Sequence, residues 1–245
     1  KRHPHKGREG EDLAVDVALD GDANASSVLI LSSGCHGVEG FCGSGVQLAS
    51  LLDPSWREHA AGKGVAVLYV HALNPHGFSH LRRVTQENVD LNRNFHDFAK
   101  PLPVNEAYRE LHPLLVPDEW PPDESNKAAV QAYITRNGEA AYKAAVSGGQ
   151  HEFPAGLFFG GTAPTWSNLT LREVLRAHGQ RAARIGIGGG SQRHHVAGAH
   201  LRDGVQRRLH LRNHPSGVDL LFEQVIDLVA VHGRNQRLLI HGIPH

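Results

Sequence analysis

Methionine is absent from this 245-residue chain, cysteine occurs only twice, and aromatic residues make up 6%. Two cysteines cannot build the dense framework that staples small secreted domains, so Cys35 and Cys42 are read as reduced packing residues of a cytoplasmic protein. Their spacing matches none of the usual zinc pairs either. With no initiator methionine, the amino terminus is read as clipped or incomplete. No apolar run approaches the roughly 20 residues that span a bilayer, which argues against a membrane partner. Charge of one sign is also lacking. The 25 Lys and Arg balance the 25 Asp and Glu, so nothing recommends nucleic acid or an anionic lipid surface. The charged start, Lys1 to Lys6, has no apolar core behind it and so is not a secretory signal.

What is present is enough apolar residue, 40%, for one substantial core. Leu13 to Leu19 alternates like a half-buried strand, and Val28-Leu29-Ile30-Leu31 reads as a strand buried on both faces. Val65 to Val70 is a further buried strand, left by a turn at Asn74-Pro75-His76-Gly77. Helical spacing runs from Ser44 to Leu52, from a Ser125 cap to about Val146, and from Asn168 or Thr170 to about His178. Six prolines between Lys100 and Asp123 predict an irregular excursion. Alternating strands and helices define an α/β class with a mixed, mainly parallel sheet.

Two segments carry chemistry. Ser33-Gly34-Cys35-His36-Gly37-Val38-Glu39-Gly40 follows the first buried strand, where open α/β sheets build their sites. His36 and Glu39 offer an imidazole and a carboxylate three positions apart, a pair suited to Zn²⁺. The structural alternative is a histidine bonded to the loop backbone beside a solvated glutamate. Asn88-Val89-Asp90-Leu91-Asn92-Arg93-Asn94-Phe95 offers a planar guanidinium flanked by amides, suited to a substrate carboxylate. Its alternative is Arg93 paired with Asp90 and pinning a loop. Arg82 and Arg83 lie just upstream and bring further cations toward the same place.

These motifs in series, with Asn74-Pro75-x-Gly77-Phe78, Gly156 to Gly161 and Pro164 to Asn168, resemble the M14 zinc carboxypeptidase superfamily. Within it the chain is most similar to the DUF2817 branch, near the succinylglutamate desuccinylase and aspartoacylase relatives. The likeness covers roughly residues 4 to 184. It implies a three-layer α/β/α sandwich, with His36 and Glu39 as zinc ligands. It also implies Asn92 and Arg93 as holders of the substrate carboxylate, and Arg83, or else Arg82, as the group that steadies the oxyanion. The substrate would be a small molecule or peptide with a free carboxylate.

Past Arg184 the character changes. Residues 185–245 hold 8 of the 19 histidines, 4 of the 25 acidic residues and one aromatic, Phe222. The histidine that the resemblance calls for as third ligand is not in its expected stretch, Ile185 to Arg193; His194, or its neighbour His195, takes the candidacy. The general-base glutamate is likewise displaced, and Glu223 is the nearest candidate. The division is therefore a catalytic domain over 1–184 and an atypical segment over 185–245, read as an altered continuation such as a shifted frame that leaves the fold incomplete at its carboxyl end. One apolar helix or strand is expected there, within Val218 to Val231. Two functions follow: a zinc hydrolase of amide bonds beside a carboxylate, or a catalytically incompetent remnant that binds metal weakly or a small carboxylate.

Overall fold

The computed structural model describes residues 1–25, 27–184, 227–232 and 238–240. A small antiparallel ribbon comes first, β1 (Arg2–Lys6) with β2 (Asp12–Ala14). The main sheet holds β3 (Asp16–Asp20), β4 (Ser27–Ser32), β5 (Val65–His71), β6 (Asp227–His232) and β7 (Leu238–Ile240) in the order β3-β5-β4-β6-β7. Among the described strands, β4 and β5 are the one parallel pair. The sheet is mixed, as expected, but antiparallel pairs outnumber the parallel one among the described strands. Outer strands that run antiparallel to their neighbours need no crossover helix. The strand expected late in the chain falls at Asp227–His232 and sits beside β4.

The parallel pair needs a crossover, supplied by α1 (Gly40–Leu52) and α2 (Pro54–Gly62). Side chains alternate across a strand, so β5 feeds two cores. Val67 and Tyr69 join Leu31, Leu51, Trp56 and Ala60 under these two helices. Leu68 and Val70 join Val15, Ile30, Val174 and Leu171 under α8 (Trp166–Arg184). Leu68 and Val70 are fully buried, each burial contributing about 1.5–3 kcal/mol. The loop that carries His36 and Glu39 leaves the carboxyl end of β4.

Several local expectations change. The segment around Asn74 is a short helix, α3 (Pro75–His80), because Asn74 accepts from Gly77 N at 2.9 Å and Pro75 occupies the first turn. The proline-rich excursion contains α5 (Glu106–Leu115), where Asn105 caps Tyr108 N and the buried Tyr108 and Leu111 outweigh Pro113. The helix expected from Ser125 to Val146 is two: α6 (Glu124–Asn137), capped by Asp123, and α7 (Glu139–Ser147). They break at Gly138, whose φ of 86° ends one helix and starts the other. With α5 they enclose their own core of Leu111, Tyr133 and Ala145. Together with α4 (Leu91–Asn94), eight helices are described. No described helix is long and apolar enough to cross a membrane.

Candidate functional site

The first motif turns off β4 and is held close to α3. Gly37 N donates to Arg82 O at 3.0 Å, and a Cβ on Gly37 would stand 1.9 Å from Gly77 O. Only a residue without a side chain lets the two segments touch in this way. His36 is thereby sunk to 4% exposure, while Glu39 remains partly open.

Asp90 joins this motif to the second one. Its side chain is fully buried and the same oxygen, Oδ1, accepts from His36 Nε2 at 3.1 Å and from Asn92 N at 2.9 Å. The latter bond caps α4, so one carboxylate oxygen both orients the imidazole and starts the helix that carries Arg93. Asp90 Oδ2 accepts from Arg83 Nε at 3.1 Å. Burial raises the Asp90 carboxyl, but the His36 bond and the Arg83 charge outweigh it and bring it down to about 2. An ionised carboxylate only accepts, so His36 Nε2 carries the hydrogen of this bond and Nδ1 is the nitrogen left facing Glu39.

That Nδ1 stands 3.8 Å from Glu39 Oε1, too far for a hydrogen bond. Two donors at zinc distance from one tetrahedral ion stand about 3.4 Å apart, close to the observed separation. A histidine fixed through its other nitrogen by a carboxylate is the usual support of a metal ligand. The donor pair therefore fits a divalent metal. Arg83 Nη1 is 3.7 Å from the same Glu39 oxygen, and its guanidinium stacks on Phe158 with Cζ 5.3 Å from the ring centre.

Arg93 does not pair with Asp90, contrary to the structural alternative read from sequence. Its Nη2 donates to Ser147 O at 2.6 Å, at the last turn of α7, where carbonyls carry partial negative charge. Gly149 packs on the arginine stem; a Cβ there would lie 2.5 Å from Arg93 Cδ. Arg93 Nε is buried without a hydrogen-bond partner, and no described carboxylate forms an ion pair with this guanidinium. Burial lowers its pKa, Asp90 opposes that, and the charge of Arg83 adds to it. A half-buried cation held by a helix end rather than by an anion is ready to accept one.

Its neighbours diverge. Asn92 is exposed, with Oδ1 taking Cys35 Sγ at 3.3 Å beside the histidine loop. Asn94 turns inward instead: fully buried, it donates to Gly160 O and Ala163 O and accepts from Thr165 N. It locks α4 to the 160–168 segment. His194 and Glu223, the candidates for third ligand and base, lie outside the described residues. Among the described residues no three His, Cys, Asp or Glu side chains converge as a metal site. Asp90 is the residue that sequence reasoning missed in this role; its place as an N-cap before Leu91 was the available signal.

The arrangement is that of a mixed α/β protein with a histidine–carboxylate pair beyond the end of β4 and, joined to it through Asp90, a short helix that carries an arginine without a carboxylate ion pair among the described residues. The chain matches the family described as "Protein of unknown function (DUF2817)" over residues 1–190, and it belongs to that family. No curated protein and no solved structure matches it.

Proposed function

We propose that the chain is a zinc-dependent hydrolase that cleaves an amide bond adjacent to a free carboxylate, of the metallocarboxypeptidase or N-acyl amino acid deacylase type. The observation that carries this reading is the double use of Asp90 Oδ1, which fixes the tautomer of His36 and places Arg93 on a capped helix beside it. The fold that accompanies the proposal is the three-layer α/β/α sandwich of the zinc carboxypeptidase superfamily. Packing of α1 and α2 on one face of the sheet and α8 on the other supports it.

In this scheme His36 Nδ1 and Glu39 hold zinc, with His194 the candidate for the third position. Bound zinc supplies a Lewis acid and a water whose pKa falls to about 7. Arg93, partly exposed, takes the substrate carboxylate, and the exposed Asn92 adds an amide beside it. Arg83, turned toward Glu39 and backed by Asp90, receives the charge that develops on the scissile carbonyl oxygen. Glu223 is the candidate to move the proton. Two cysteines without a wider cysteine framework suit a reducing, cytoplasmic setting.

A second reading has its own observation. Only two donors meet among the described residues, which favours a remnant that binds a small carboxylate through Arg93 without turning it over. Assaying N-acyl amino acids and short peptides against their carboxamide counterparts separates the two. The hydrolase reading expects turnover of the carboxylate forms alone, lost with a chelator and reduced mainly through KM in Arg93→Ala. Binding of carboxylates without turnover, in zinc-saturated protein, would leave the remnant.

A further inference from the structure

The geometry points to a second divalent-metal site on the other side of the histidine loop, built from His76 and His80 of α3 and completed by His3 of β1. It would take imidazole-seeking ions such as Zn²⁺ or Ni²⁺ rather than Mg²⁺ or Ca²⁺, which require oxygen donors. This inference does not rest on the proposed hydrolase activity.

His76 and His80 stand one turn apart on the same face of α3, the spacing at which two histidines on a helix chelate one ion. Their rings stack with centroids 4.1 Å apart. His76 Nδ1 and His80 Nε2 are both buried, and neither has a hydrogen-bond partner. Ring nitrogens removed from water with nothing in its place are costly, and a cation held between the two rings would satisfy both. His3 approaches from β1, its ring centre 6.3 Å from that of His76, with His5 a further 5.6 Å from His3.

Glu11 lies close enough to interact with His80, and Glu87 with His3, so two carboxylates offset the charge an ion would bring. No three ligating side chains already converge among the described residues. The preformed part is accordingly the His76–His80 pair. His3 must swing from its present place, where Nδ1 accepts from His5 N at 3.2 Å and the ring meets Trp166 edge-on at 4.6 Å. Water fills the remaining position.

The consequence reaches the first site. Gly77, between the two histidines, forms the surface on which Gly37 rests, one residue from His36. An ion held on α3 would tie β1 to that support and stiffen it.

Calorimetric titration of the chelator-stripped full chain with Zn²⁺, and separately Ni²⁺, tests the inference. Wild type should show two classes of binding. His76→Ala and His80→Ala should each weaken one class at least tenfold and leave the class that depends on His36, while His36→Ala should do the reverse. His5→Ala should change neither. His80→Gln, which keeps a polar side chain, serves if the alanine variant does not fold, with metal-free thermal unfolding as the check. Wild-type stoichiometry and affinity in folded His80→Gln or His80→Ala would overturn the inference. So would weak binding spread over many histidines and indifferent to all of these substitutions. Loss of the His36 class alone would count against the hydrolase site and leave this one standing.

Discussion

Replacing Asp90 by asparagine tests the atom on which both motifs meet. The carboxylate is fully buried and accepts from His36, Arg83 and the backbone of Asn92. Asparagine keeps the volume, but it turns one acceptor into a donor facing an N–H and removes the charge opposite Arg83. The folded carboxyl lies at about 2 against an ordinary 3.8. That difference corresponds to about 2 kcal/mol of stability at neutral pH. A depressed carboxyl contributes fully above its unfolded value and loses that contribution as pH falls through its folded one. The advantage of wild type over Asp90→Asn should thus be about 2 kcal/mol at pH 7, about half that near pH 3, and small below pH 2. Urea unfolding midpoints of the two proteins across this range measure it. The same variant, its imidazole no longer fixed, should bind zinc about 10–100-fold more weakly. Equal midpoints at pH 7, or a gap that does not narrow on acidification, would refute the assignment of Asp90.

Two other substitutions probe the supports of the site. Gly37→Ala drives a methyl into Gly77 O and Arg82 O, both backbone atoms that cannot step aside. It should cost about 1–3 kcal/mol by thermal unfolding and disturb the metal bound at His36, whereas Gly45→Ala, in open space, should be neutral or better. Asn94→Ala leaves Gly160 O, Ala163 O and Thr165 N without their partner in a fully buried place. A loss of about 2–4 kcal/mol is expected, read as a lower denaturation midpoint; a loss below 0.5 would mean the segment is not held this way.

Sequence sufficed for the buried strands β4 and β5, since continuous runs of apolar strand formers have few other readings. Residue type and loop position also singled out His36, Glu39 and Arg93 as candidates, and the structure brings the first two to 3.8 Å of each other. Sequence failed where a partner distant along the chain decides. Asp90 enters the sequence reading only as an alternative partner for Arg93, yet it serves His36, 54 positions away, and Arg83. The counter-charge of Arg93 is a carbonyl at the end of α7, also 54 positions off, and backbone oxygens leave no mark on the residue string. Asn94 shares a tripeptide with Arg93 but faces the opposite way, because a one-turn helix sends consecutive side chains apart. Prolines between Lys100 and Asp123 masked α5, whose buried Tyr108 reaches across to accept from Leu157 N.

The central claim is that His36 and Glu39 form the core of a zinc site. Counting zinc per chain after equilibrium dialysis at neutral pH, in a His80→Ala background that removes the ion proposed on α3, tests it most directly. One zinc per chain is expected, none once His36→Ala is added, and no change with Arg93→Ala. Zinc retained without His36, or no zinc bound at all, would contradict it.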